Sequence, residues 1–214
     1  WGKTFADQVE ICLIQMPGRE ERLNEKLVKD MPQLVDTLAQ EISVFSKKPY
    51  AFFGHSMGAI VAYETARRLN AMGVSKPAHL FLSARAAPHL QKNTDLLRFL
   101  DDEAFVDKLQ ATYGAVPEAV RQNPEVRKIF LPILRADVEL LETYHETSPE
   151  PLDLPISALG GISDPAISRA QLEGWQARTS AKFTYHEFPG DHFYIDEERE
   201  AVMAAIKNDL AHNL

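Results

Sequence analysis

Short apolar runs and helical spacings alternate along the chain. Val9–Gln15 reads as a strand. Leu27, Met31, Leu34, Val35, Leu38, Ile42 and Phe45 then recur at three- and four-residue steps and mark an amphipathic helix over roughly 26–46. Pro49–Phe53 reads as a short buried strand. A helix follows from about Met57 to Met72 and is closed by Gly73, where a left-handed residue ends a helix. His79–Ser83, Ile156–Leu159 and Lys182–Phe188 read as three further strands, with helical patterns at about 168–178 and 197–212. Strands alternating with helices predict an α/β fold: a mostly parallel sheet with helices on both faces.

One stretch breaks the rhythm. No strand signal occurs between the runs at 79–83 and 156–159. Asp101 and Asp102 ahead of Glu103, Phe105, Val106 and Leu109 predict a capped helix. Asn123-Pro124 opens another, and Pro132 inside it predicts a kink. With no repeat and no Gly/Ser linker, residues 1–214 read as one domain carrying a helical insertion at about 92–150. The insertion is too short to be a domain. It reads as a lid over a site, the alternative being helical decoration of the sheet.

Composition narrows the class. A chain of 214 residues buries enough surface for one substantial core. Its 23 basic and 31 acidic residues give a net charge of −8, the wrong sign for a general nucleic-acid binder. No apolar run approaches the ~20 residues of a membrane span, so neither nucleic acid nor membrane is an expected partner. The chain opens at Trp1 without Met or a signal-peptide pattern. Its single cysteine, Cys12, allows no intrachain disulfide, which fits a cytoplasmic setting. Lying in an apolar run, Cys12 reads as a small buried hydrophobe.

The chemistry lies in Gly54-His55-Ser56-Met57-Gly58, set between an apolar strand and a helix. A serine on such a sharp turn projects its hydroxyl above the sheet, and close strand–helix packing calls for glycine at both 54 and 58. The hydroxyl needs a base, and in this arrangement the chain order is Ser, acid, His. Of seven histidines, His55 lies on the wrong side of the turn. His79, His89, His145, His186 and His212 sit on or beside other elements. His192, in the loop Phe188-Pro189-Gly190-Asp191-His192-Phe193 past the last strand, is the expected base, since sites form at the carboxyl ends of parallel strands. Asp164, after Gly160-Gly161, is the expected acid and would fix the imidazole tautomer. Asp191, Asp153 and Asp196 compete less well from their positions. The Met57 N–H is one expected oxyanion donor, and the loop for a second is not found in the sequence.

These segments, together with Pro17-Gly18-Arg19-Glu20 and Leu131-Pro132-Ile133-Leu134-Arg135-Ala136-Asp137, carry a resemblance. The chain resembles the type II thioesterases of non-ribosomal peptide and polyketide assembly lines. It is also similar to the medium-chain thioesterase of animal fatty acid synthase. The resemblance runs over essentially all 214 residues. It implies an α/β-hydrolase that removes stalled or wrong acyl groups from the phosphopantetheine thiol of carrier proteins. Ser56 would be the nucleophile, Asp164 the acid, His192 the base and Met57 an oxyanion donor. No metal or cofactor is implied, because the arm enters with the substrate, and the protein is expected to be a monomer.

The resemblance departs at the front. Family members begin with a strand and a glycine-containing loop upstream of the position matching Trp1. That strand lies between those matching Val9–Gln15 and Pro49–Phe53, and the loop gives the second oxyanion donor. The expectation is therefore a piece of a longer chain, and active, folded protein of 24.1 kDa would overturn it. Two rivals use the same residues differently: an esterase or acyltransferase on small esters, and a non-catalytic module that docks carrier proteins. Carriers are typically acidic, so docking on a chain at −8 calls for a local basic patch. Arg67 with Arg68, or Lys47 with Lys48, are the candidates, the alternative being solvated surface charge.

Overall fold

A computed structural model describes residues 9–45, 48–91 and 96–211. Trp1, Lys47, His212 and the first residues of the insertion fall outside them. Four strands, β1 (Ala51–His55), β2 (His79–Ser83), β3 (Ile156–Gly161) and β4 (Phe183–Phe188), form a parallel sheet in the order β1-β2-β3-β4. Every residue of β2 and β3 is buried. That is why β2 is read from the apolar run Leu80-Phe81-Leu82 rather than from alternation.

Alternation within the strands divides the core. On one face Leu80, Leu82, Ile156 and Ala158 pack with Met31, Leu34 and Val35 of α1 (Met31–Phe45) and with Ile60 and Tyr63 of α2 (Met57–Ala71). On the other face Phe81, Leu159 and Phe188 meet Val202, Met203 and Ile206 of a later helix, Arg199–Ala211. Helices thus cover both faces, as the pattern predicts.

Two boundaries moved for local reasons. The helix expected from 26 begins at Met31, where the Asp30 carboxylate accepts the Gln33 N–H at 2.8 Å and Pro32 occupies the first turn. The strand expected at 49–53 starts at Ala51 instead, past Pro49, which has no N–H for a ladder. The larger correction is Val9–Gln15, which is not a strand. No strand among the described residues lies beside it, and without a ladder the run turns its side chains outward. Leu13 is 90% and Ile14 56% exposed. Cys12 is likewise an exposed free thiol and not a core residue.

The insertion comprises α3 (Asp102–Tyr113), α4 (Glu118–Gln122) and α5 (Pro124–Glu142). Asp101 caps α3 through the Ala104 N–H, and Asn123 caps α5 through Glu125 and Val126. Helix α5 runs unbroken through Pro132. Phe105, Val106, Leu109, Val120, Leu131 and Val138 form a small core of their own beside the two sheet-face clusters. A bidentate pair joins the insertion to the N-terminal segment: Arg19 Nη1 and Nη2 donate to Asp137 at 3.1 and 2.8 Å. This contact gives a physical reason for the company kept by Pro17–Glu20 and Leu131–Asp137 in sequence. Burial raises the Asp137 carboxyl pKa while Arg19 opposes it, so removing Arg19 strands a partly desolvated charge. Arg19→Ala is expected to cost about 1–3 kcal/mol, discounted for the pair's partial exposure. Arg19→Ala/Asp137→Ala should cost less than the sum of the single changes, and urea unfolding of the four proteins measures the difference.

The elements after β3 are α6 (Arg169–Glu173), α7 (Tyr194–Glu197) and α8 (Arg199–Ala211). No helix among the described residues is long and apolar enough to cross a membrane.

Candidate active site

The turn between β1 and α2 brings the chain to an unusual conformation. Ser56 has φ +52° and ψ −115°, and its N–H donates to the Ser83 carbonyl at 2.8 Å. A non-glycine residue in this region stores about 1–3 kcal/mol. The neighbouring packing sustains it. A Cβ on Gly54 would lie 2.1 Å from the Gly58 carbonyl oxygen. Only glycine there lets the strand and the first helical turn approach so closely. Gly58 differs from expectation, because a Cβ built on it meets no heavy atom within 4 Å. Close approach constrains position 54 alone.

Two loops bring the other polar groups to Ser56. A Cβ on Gly161 would fall 2.2 Å from the Asp191 carbonyl, and Gly190 has φ +108°. The end of β3 and the loop after β4 therefore lie against each other through glycine. Across that contact His192 Nδ1 lies 2.8 Å from Asp164 Oδ2, and His192 Nε2 lies 3.0 Å from Ser56 Oγ. His192 is 1% exposed. Asp164 uses its second oxygen as well: Oδ1 accepts the Ala166 and Ile167 N–H groups at 2.8 and 3.2 Å. The carboxylate is fixed by its own loop while it faces the imidazole. Met57 opens α2, so its N–H has no intrahelical acceptor. The helix terminus favours negative charge at the serine.

Several of the competing residues are engaged elsewhere. His79 Nε2 and Asp209 Oδ2 both bond Ser157 Oγ, and His186 Nε2 lies 2.7 Å from Asp209 Oδ2. Asp191 accepts the Phe193 N–H, and Asp153 pairs with Lys76. Arg68 pairs with Asp36 at 2.6 Å, and Arg67 donates to the Glu150 carbonyl at 2.8 Å. Both arginines are committed to intramolecular contacts.

The sequence reading gave no role to the ring of groups around His192. His55 Nδ1 and the Tyr194 hydroxyl both bond the Ser83 hydroxyl, at 2.8 and 2.7 Å. The Tyr113 ring of α3 lies 5.1 Å from the His192 ring. His55 Nε2 is buried without a hydrogen-bond partner. Desolvation, helped by His192, pushes the His55 pKa down to about 4. An unfolded histidine binds a proton below about 6.5, so the unfolded chain holds more protons between pH 6.5 and 4. Stability therefore falls as pH drops through that window. His55 should account for about 2 kcal/mol of loss between pH 7 and 5. Urea midpoints for the wild type and His55→Gln check this, the variant giving the flatter profile.

The chain as a whole resembles known proteins. The family model for the thioesterase domain matches residues 1–210. The chain is 38% identical over 212 residues to the linear gramicidin dehydrogenase of Brevibacillus parabrevis, covering 98% of this chain and 81% of that one. It is 32% identical over 200 residues to the medium-chain S-acyl fatty acid synthase thioesterase of Rattus norvegicus, covering 91% and 74%. Among solved structures it matches the type II thioesterase of the borrelidin biosynthetic cluster with a TM-score of 0.86 and 34% identity, covering 96% and 83%. The dehydrogenase name has no echo in this sequence, whose ten glycines nowhere form the Gly-x-Gly-x-x-Gly dinucleotide fingerprint. With its strand–serine–helix turn and its match from residue 1 to 210, the chain belongs to the thioesterase family and has the α/β-hydrolase fold.

Proposed function

We propose that the protein hydrolyses acyl groups from the phosphopantetheine thiol of carrier proteins in a biosynthetic assembly line, with Ser56 as nucleophile. The hydrogen-bonded series Asp164–His192–Ser56 carries this reading. Ser56 Oγ attacks the thioester carbonyl as its proton passes to His192 Nε2. The tetrahedral oxyanion is stabilised by the Met57 N–H at the positive end of α2. The C–S bond breaks, and His192 returns the proton to the departing thiol. Water, deprotonated by His192 in turn, attacks the acyl-serine; the C–O bond to Ser56 breaks, His192 returns the proton to Ser56 Oγ, and the free acid leaves. Asp164 holds Nδ1–H and balances the imidazolium throughout. The insertion acts as a lid whose α3 sets Tyr113 against His192. The relatives named above support a thioester over an ester, and their biosynthetic setting supports a carrier as donor.

A screen of acyl-loaded carrier proteins of varied chain length, beside acyl-CoA and simple esters, tests the reading. Turnover should be fastest on the carriers, and a fluorophosphonate should label Ser56. Faster turnover of simple esters would make the protein an esterase. Binding of carriers with neither labelling nor turnover would make it a docking module.

A further inference from the structure

Arg85 lies two residues beyond β2, whose last carbonyl accepts the Ser56 N–H. It follows Ala84, another non-glycine residue at positive φ, +50°. The Trp175 indole N–H holds the Arg85 carbonyl at 2.7 Å. Arg85 is thus held by a constrained backbone at the carboxyl end of β2, beside the strand end that meets the serine turn.

The guanidinium is buried, the residue being 7% exposed. One nitrogen donates to Gln91 Oε1 at 2.8 Å; burial lowers the guanidinium's pKa, and Tyr113 and Tyr144 oppose it only in part. Nε is buried without a partner, and no carboxylate among the described residues pairs with it. Burying a cation against neutral oxygens alone is costly. The other buried arginine, Arg178, has the usual remedy in Glu146 at 2.6 Å. Arg85 lacks that remedy among the described residues, and Tyr113, which favours its charge, sets its ring 5.1 Å from the His192 ring.

We propose that Arg85 selects the acyl group by pairing with a carboxylate carried on it, so that the preferred substrates are half-thioesters of short dicarboxylic acids. A guanidinium with a free Nε–H matches a carboxylate in the planar, two-bond manner. The alternative oxyanion, the phosphate of the pantetheine arm, sits at the carrier end, a full arm's length from the thioester. Arg85 is buried two residues past the β2 carbonyl that holds the Ser56 N–H, beside the nucleophile where the acyl group belongs. This inference rests on the thioesterase reading above.

The test uses succinyl and butyryl thioesters, equal in chain length, each on N-acetylcysteamine, which has no phosphate, and on coenzyme A. Wild-type kcat/KM should favour succinyl over butyryl at least tenfold on both thiols. Arg85→Gln should lower the succinyl/butyryl ratio by about 30-fold or more, as expected for loss of a buried charge-assisted pair. Arg85→Lys, which keeps the charge but loses the fork, should fall between. Wild-type preference for butyryl would overturn the proposal even if Arg85→Gln fails to fold. A folded Arg85→Gln with an unchanged ratio would overturn it too. So would a change confined to the coenzyme A/N-acetylcysteamine ratio, which would assign Arg85 to the phosphate. No hydrolysis of either acyl group by the wild type would defeat the thioesterase reading itself, a different outcome from hydrolysis without selectivity.

Discussion

Ser56→Ala should lower the turnover of an acyl thioester by about 10⁴–10⁶-fold. His192→Ala should cost a similar factor. The two together should cost little more than either alone, because the proton transfer is one event shared by both groups. The 3.0 Å contact between them is the geometric reason. Asp164→Asn should fall about 10⁴-fold, since an amide presented to Nδ1 favours the wrong imidazole tautomer. Single-turnover kinetics on an acyl carrier separates these effects from binding. Substrate affinity should hold in all three variants while the chemical step collapses. Ser56→Gly adds a stability readout. Glycine relaxes the strain of φ +52°, so the inactive variant should unfold at a higher urea concentration than the wild type. A Ser56→Ala variant retaining even a tenth of the wild-type rate would remove Ser56 from the mechanism.

What could be read ahead of the structure was what depends on local chemistry. His79–Ser83 was delimited to the residue, because a strand buried on both faces leaves an unbroken apolar signature. Ser56, Asp164 and His192 could be expected to meet because each follows a strand and a glycine in the loop-forming end of a parallel sheet. Their proximity is then a consequence of strand order. Properties set by neighbours were illegible. Val9–Gln15 has the composition of a strand, but a strand is a relation to a second strand, and periodicity does not report one. Cys12 failed for the same reason. Gly54 and Gly58 look equivalent in the motif. Only the approach of α2 to β1 separates them. Arg67 and Arg68 read as a candidate patch because Asp36 and Glu150 lie far away in sequence. Arg85 drew no notice, since an arginine after a strand is unremarkable until its burial and missing carboxylate are seen. A search for cations just past strand ends at the site face would have found it.

Gly54→Ala is the second large effect expected. The new Cβ would stand 2.1 Å from the Gly58 oxygen, 2.4 Å from the Gly58 carbonyl carbon and 2.7 Å from the Ala59 nitrogen. All three are backbone atoms in the first turn of α2, so no side-chain rotation relieves the overlap. Either β1 must draw away, disturbing the Gly54–Leu82 register, or α2 must shift and carry Ser56 with it. Overpacking of flexible cores costs about 1–3 kcal/mol. With only backbone to yield, the cost here belongs at or above the upper end, and about 3 kcal/mol lowers Tm by roughly 6–12 °C in a chain of this size. Activity should fall further than stability, because a shift of about 1 Å in a reacting group costs on the order of 10² in rate. Gly58→Ala supplies the contrast. Its Cβ meets nothing within 4 Å, and alanine is the better helix former by up to about 1 kcal/mol, so its Tm should equal or exceed that of the wild type. Calorimetry on the pair decides the matter. Equal losses at 54 and 58 would mean that the motif's glycines serve chain flexibility, whereas loss at 54 alone assigns the requirement to the contact between strand and helix.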